Sequence, residues 1–174
     1  MKTNKIYLSV FFIFLFNIIG ATALCFPALR EAILKLTPLN LLLIFMIFFY
    51  ANNDFSLSFL KTILLVFIIG YFIEVLGVRF KFIFGEYFYG ETLGLKILNT
   101  PIIMGINWLS LSLSTFGIAA YVFKPKLLIV VAASALMVLT DMLIEPLSAS
   151  LDFWYWKNNV LSLIHISEPT RPSV

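Results

Sequence analysis

The sequence predicts an all-α fold, a polytopic transmembrane helical bundle with about five spanning helices. Hydrophobic residues make up 61% of the 174-residue chain, charged residues only 12%, and the mean hydropathy is +1.03. An ordinary soluble domain is about 25% charged. The apolar residues also gather in long runs, most of them close to the ~20 residues that a helix needs to cross the hydrocarbon core. The chain is therefore expected to be an integral membrane protein.

Five runs are long and apolar enough to be predicted as spans, at about residues 6–24, 36–51, 59–78, 101–123 and 127–147. The first run is interpreted as a span and not as a cleaved signal peptide, because it exceeds the usual apolar length of ~7–15 residues. The second run is short for a span. Basic residues divide almost equally between alternate loops, so the positive-inside rule leaves the orientation open.

The C-terminal end differs from the rest of the chain. Residues 1–160 are predicted to form the membrane domain, whereas residues 161–174, LSLIHISEPTRPSV, end in a polar, proline-containing stretch without a helical period. The string ISEPTRP resembles a translated sequencing adaptor. The tail is therefore expected to be non-native or disordered, and the intact protein is expected to have further helices.

Composition also limits the classes of partner and cofactor. The formal charge of +3 is spread through short loops, so no basic tract indicates nucleic-acid binding. A single cysteine, Cys25, excludes an internal disulfide and a cysteine metal cage. The one histidine, His165, lies in the tail. We therefore expect no metal and no cofactor.

Three carboxylates interrupt the apolar runs, and they are the first candidates for a functional site: Glu74, Asp141 and Glu145. A carboxylate at the centre of a membrane helix costs roughly 2.5–3.5 kcal/mol on insertion scales, so such groups usually face the bundle interior and have a function. The alternative is that they hydrogen-bond neighbouring helices or lie near helix ends.

The spacing of these carboxylates adds detail. Asp141 and Glu145 are four residues apart and share one helix face, where one can keep its proton while the other stays anionic. Glu74 shares a face with Gly70 and Gly77, and small residues let a neighbouring helix approach closely. We therefore expect the three carboxylates to converge on one site.

Aromatic and amide side chains near the predicted span ends are the candidates for substrate binding. Such residues ordinarily form an interfacial belt at headgroup level. They could instead cap a hydrophobic tunnel, where an aromatic face stabilises a desolvated cation by about 2 kcal/mol or more. The candidates are Tyr87, Tyr89, Asn107, Trp108, Trp154 and Trp156.

The same residues resemble the CruF-type carotenoid biosynthesis family over roughly residues 60–158. The matching pattern is Glu74-x-x-Gly77, Gly85-x-Tyr87-x-Tyr89, Gly94-x-Lys96, Pro101, Asn107-Trp108, Asp141-x-x-x-Glu145-Pro146 and Phe153-Trp154-x-Trp156. Members include carotenoid 1′,2′-hydratases and bisanhydrobacterioruberin hydratases. The resemblance implies a multi-pass enzyme of a bacterial or archaeal cell membrane, acting on a carotenoid or another long isoprenoid alongside other enzymes of that pathway.

Hydration of a terminal alkene requires a proton donor, protection of a tertiary cation and a delivered water. We assign Asp141 or Glu145 as the acid and Glu74 as the group that orients water. Tyr87, Tyr89, Trp108 or Trp154 would shield the cation. A lycopene-type cyclase, the first alternative, would also protonate the alkene and protect the resulting cation, but it would not admit water. A proton-coupled carrier is the second alternative, although the sequence lacks the two related halves typical of carriers.

Overall fold

The computed structural model describes residues 2–52, 55–81 and 84–157. Within these ranges the chain forms six α-helices, a short 3₁₀ turn at Ala149–Leu151 and four short strands. The helices are α1 (Lys2–Leu24), α2 (Pro27–Lys35), α3 (Thr37–Ala51), α4 (Leu57–Phe80), α5 (Ile103–Val122) and α6 (Lys126–Ser148). The strands are β1 (Tyr87–Tyr89), β2 (Lys96–Ile97), β3 (Thr100–Pro101) and β4 (Trp154–Trp156). The predicted tail at residues 161–174 lies outside the described residues.

Helices α1, α4, α5 and α6 are long and apolar enough to cross a membrane, and α2 with α3 make a fifth span if the bent pair is counted as one. The predicted all-α polytopic bundle is confirmed. The second span is more elaborate than the sequence indicated, because α2 precedes the apolar run and meets α3 at a 60° bend. Pro38 lies in the first turn of α3 and cannot donate a backbone hydrogen bond to the preceding turn, which favours the bend at this point.

Helix α5 is the centre of the packing. Helices α4 and α6 each pack along α5 and have little direct contact with each other, while α3 also contacts α5 and α1 packs on α2 and α3. Many large apolar side chains along the spans stay exposed, among them Leu64, Leu65, Val130 and Val131. This is the surface expected of helices that face acyl chains.

Two strand pairs cover one end of the bundle. Because α4 and α6 run in the same direction through it, the segments that follow them meet at that end, and β1 pairs antiparallel with β4. The register joins Tyr87 to Trp156 and Tyr89 to Trp154. We call Tyr87–Tyr89 with Trp154–Trp156 the aromatic ribbon. The second pair, β2 with β3, forms a hairpin that the Tyr71 hydroxyl anchors by donating to the Ile97 carbonyl at 2.7 Å.

A cluster of buried side chains lies at the aromatic ribbon. Tyr87, Tyr89, Leu93, Ile103 and Met104 form a buried cluster, against which the partly buried tryptophans of β4 also pack. The packed core of the described chain is thus concentrated at the capped end, where the candidate site residues also lie.

Candidate functional site

Glu74 is buried within the last two turns of α4, about 9 Å from the end of that helix at 1.5 Å per residue. Its Oε2 accepts hydrogen bonds from the hydroxyls of Tyr87 and Tyr89, at 2.7 and 2.6 Å. Its Oε1 accepts one from Trp108 Nε1 at 2.7 Å. Three neutral donors from two different elements therefore hold one carboxylate, and it is a hydrogen-bond acceptor in every contact.

The glycines next to Glu74 on its helix face make room for these donors. A Cβ at Gly70 would lie 2.5 Å from the Trp108 Cβ, and one at Gly77 would lie 2.9 Å from the Tyr87 hydroxyl and 2.7 Å from the Phe84 ring. Real Cβ atoms do not approach other atoms so closely. The two small residues thus let α5 and β1 bring their donors to the carboxylate.

Gly77→Ala should destabilise the protein by roughly 1.5–3 kcal/mol, the size of one hydrogen bond to a charged group, because the new methyl displaces the Tyr87 hydroxyl from Glu74. Thermal unfolding in detergent micelles would measure the change. Gly117→Ala is the matched control, since a Cβ there meets nothing within 4 Å. An equal loss in both variants would show that the Tyr87 contact is not the cause.

Glu145 occupies the last turn of α6 and is half-buried. Its Oε1 accepts a hydrogen bond from Trp154 Nε1 at 3.2 Å and another from Trp156 Nε1. Helix α6 continues past Pro146 to Ser148 and then turns into β4, which returns both indoles toward the carboxylate. Glu145, like Glu74, is held by aromatic donors and not by a cation.

The aromatic ribbon connects the two glutamates. Side chains alternate between the faces of a strand, so Tyr87, Tyr89, Trp154 and Trp156 share the inner face while Phe88 and Tyr155 stack on the outer face at 5.4 Å. The Tyr87 and Trp156 rings lie 5.3 Å apart. One two-stranded element thus supplies two donors to Glu74 on α4 and two to Glu145 on α6.

Asp141 lies one turn before Glu145 on α6. The charges of Glu74 and Glu145 both act on its carboxyl, so the three groups are within electrostatic range of one another. Its side chain is exposed, and it has no hydrogen-bond partner among the described residues. Asp141 therefore differs from the two glutamates, whose oxygens are already engaged by donors.

Asn107 is the one candidate residue that no described contact connects to the three carboxylates or their aromatic donors. Its side chain is half-buried on α5 and forms no hydrogen bond within the part of the chain that the structure describes, although its neighbour Trp108 binds Glu74. Its assignment to substrate binding stays a prediction. The same part of the chain contains no group of three or more histidine, cysteine, aspartate or glutamate residues placed to hold a metal ion.

Asp152 is the residue at this end of the bundle that the sequence analysis missed. Its Oδ2 accepts from the amides of Glu91 and Thr92, at 2.8 and 3.0 Å, and its Oδ1 accepts from the Tyr155 hydroxyl at 2.7 Å. Burial raises the pKa of this carboxyl, but the hydrogen bonds outweigh burial and hold the pKa below its usual value. An aspartate between an apolar helix and an aromatic run was the available signal.

The bundle and its contacts define an α-helical integral membrane protein with a carboxylate site under an aromatic cap. The family model described as carotenoid biosynthesis protein matches residues 12–161, and the chain belongs to that family. No curated protein and no solved structure matches the chain. The family resemblance seen in the sequence is confirmed at this level, and it gives the protein a role in carotenoid biosynthesis.

Proposed function

We propose that this protein hydrates a terminal carbon–carbon double bond of a carotenoid or similar long isoprenoid, giving a tertiary alcohol by acid catalysis without a cofactor. The observation that carries the proposal is the difference among the three carboxylates. Glu74 and Glu145 are engaged as acceptors by aromatic donors, whereas Asp141 lies one helical turn from Glu145, within electrostatic range of Glu74, and has no hydrogen-bond partner among the described residues. One carboxyl without a hydrogen-bond partner can give a proton to the alkene, and the two hydrogen-bonded carboxylates can stabilise the cation and orient the water.

The first step is proton transfer, and Asp141 is the acid that the contacts favour. Its carboxyl gives a proton to the less substituted alkene carbon; the π electrons form the new C–H bond, and the other carbon becomes a tertiary cation. Glu145 lies one helical turn away, and its negative charge stabilises the cation that forms. The sequence left the acid open between Asp141 and Glu145, and the hydrogen bonds to Glu145 are the reason for choosing Asp141.

The second step is capture of the cation by water. A carboxylate offers about four acceptor positions, and Tyr87, Tyr89 and Trp108 occupy three of those on Glu74. The remaining position can accept a hydrogen bond from a water and take its proton as the oxygen bonds to the cation. Transfer of a proton back to Asp141 completes the net addition of one water.

The aromatic residues have a second task in this reaction. A tertiary cation reacts with any nearby base, and loss of a proton would return an alkene. Rings such as Trp108, Trp154 and Trp156 surround the carboxylates and stabilise a desolvated cation by about 2 kcal/mol or more while excluding other bases.

Isotope incorporation tests the proposal directly. The protein, co-expressed with an acyclic carotenoid pathway, should place heavy oxygen from H₂¹⁸O in the hydroxylated product and one deuterium from D₂O on the adjacent carbon. Mass analysis of the extracted pigment measures both. Oxygen that comes from O₂ would indicate a hydroxylase, and a ring product without a hydroxyl would favour a cyclase.

A further inference from the structure

A cavity of about 480 Å³ opens at the capped end of the bundle, and residues of β1 form part of its lining. Its mouth is charged, because three lysines and one glutamate line it: Lys81, Lys96, Lys157 and Glu86. A water molecule occupies about 30 Å³ of liquid, so this space can hold on the order of ten waters. An apolar polyene would have to strip water from four charged groups to enter it, which makes this an aqueous space.

Ion pairs give the mouth a defined shape. Glu86 bonds both Lys81 at the end of α4 and Lys157 after β4, the latter at 3.0 Å. Lys96 donates to the Tyr89 carbonyl at 2.9 Å and to Glu91 at 2.7 Å. These contacts hold the charged groups at the rim.

The lining of the cavity also includes the two tyrosines that bind Glu74. Burial, followed by the charge of Glu74, raises the pKa of both Tyr87 and Tyr89, so their hydroxyls keep their protons and can donate. A tyrosine hydroxyl also accepts hydrogen bonds, so each one can take a proton from the protonated carboxylate while it gives its own proton to a cavity water, and the same exchange can run in reverse.

We propose that this cavity is the vestibule that supplies water and exchanges protons with the carboxylate site, and that Tyr87 and Tyr89 relay protons between it and Glu74. The proposal rests on the hydration reaction proposed above. Each turnover consumes one water, whose hydroxyl joins the product and whose proton goes to Glu74. That proton leaves through a tyrosine hydroxyl to the cavity water, and the acid regains one proton from the same water.

Blocking the cavity from the aqueous side tests this role. Cys25, the one cysteine of the chain, is replaced by serine, and Phe88→Cys places a thiol on the cavity wall at an exposed position outside the proposed machinery. A negatively charged methanethiosulfonate should label Cys at this position and lower formation of the alcohol at least ~10-fold relative to the unlabelled variant. Tyr121→Cys is the control, because Tyr121 is exposed at the other end of α5. This variant should be labelled without loss of activity.

The outcomes separate this proposal from the reaction on which it rests. If unlabelled Phe88→Cys makes the alcohol and labelling has no effect on its rate, the vestibule is wrong while the hydration stands. If the thiol does not react with the charged reagent, the cavity is not aqueous. If the unlabelled parent makes no alcohol, both the reaction and the vestibule fail.

A kinetic comparison tests the relay separately. Tyr87→Phe combined with Tyr89→Phe keeps both rings and removes both hydroxyls, so kcat should fall at least ~10-fold while KM for the carotenoid stays unchanged. A rise in KM with kcat unchanged would show that the hydroxyls bind substrate instead, which would overturn the relay.

Discussion

Asp141→Asn should lower formation of the tertiary alcohol at least ~100-fold, the lower end of the effect of a general acid or base. The substitution keeps the size of the side chain and removes the proton that the alkene receives. Glu145→Gln should cause a comparable loss, because the neighbouring negative charge that stabilises the cation disappears. Product is measured by mass analysis of pigments from cells that express equal amounts of each variant.

Leu143→Ala is the matched control for both changes, since this residue lies on α6 between them and is exposed to the surroundings of the helix. Its product level should stay close to that of the parent. Full activity in Asp141→Asn with loss in Glu145→Gln would make Glu145 the acid and leave Asp141 without a part in the reaction. Full activity in both would remove the carboxylate pair from the reaction.

Gly90→Ala should have the second large effect, because it is incompatible with the present closure of the aromatic ribbon. A Cβ at Gly90 would lie 2.2 Å from the Asp152 carbonyl oxygen and 2.3 Å from its Oδ1. The Gly90 amide also donates to the Phe153 carbonyl at 3.0 Å, so the backbone here cannot shift without opening the strand pair. Overpacking of this kind typically costs about 1–3 kcal/mol.

The consequence should extend to both glutamates, since β1 and β4 supply the donors for Glu74 and Glu145 together. Gly90→Ala is expected to lower the unfolding temperature in detergent and to reduce the alcohol product with it. Gly20→Ala provides the control, because a Cβ there meets nothing within 4 Å. If Gly90→Ala unfolds at the temperature of the parent, the ribbon does not depend on this close approach.

Asp152 explains why the ribbon closes at this position. Its backbone has a φ of 55°, and from that turn its carboxylate holds the segment after β1 while its neighbours enter β4. A left-handed conformation is uncommon for a residue other than glycine, although aspartate adopts it more readily than most. The carboxylate accepts four hydrogen bonds, from the amides of Glu91 and Thr92, the Thr92 hydroxyl and the Tyr155 hydroxyl, and these compensate for that conformation.

The class of fold was predictable because membrane insertion follows from local composition. Long apolar runs must become helices in a bilayer, where every backbone hydrogen bond has to be made within the segment. The same reasoning identified Glu74, Asp141 and Glu145, since the cost of a charge in an apolar run depends only on its immediate sequence. The bend between α2 and α3 was a partial exception. The sequence contains Pro38 at this point, but α2 has polar turns and was therefore not predicted as a separate helix before α3.

The partners of these carboxylates were not predictable in the same way. Tyr87 and Trp156 lie far apart in the chain, and nothing in the spacing of either run shows that they pair across two strands. The aromatic runs were consistent with an ordinary interfacial belt, and the choice between that belt and a set of donors depends on where α4 and α6 end relative to each other. The same holds for Asp152, whose role exists only because the segment after β1 folds against it.

The sequence by itself determined that this is a helical membrane protein, that three carboxylates interrupt its apolar spans and that aromatic residues follow two of those spans. Only the tertiary structure decided that these features meet at one end of the molecule. There β1 directs two aromatic donors at Glu74, and β4 directs two at Glu145. The physical reason is the range of the forces involved. Hydropathy acts residue by residue along the chain, whereas a hydrogen bond of 2.6–2.7 Å to Glu74 exists only when separate helices and strands are packed in register.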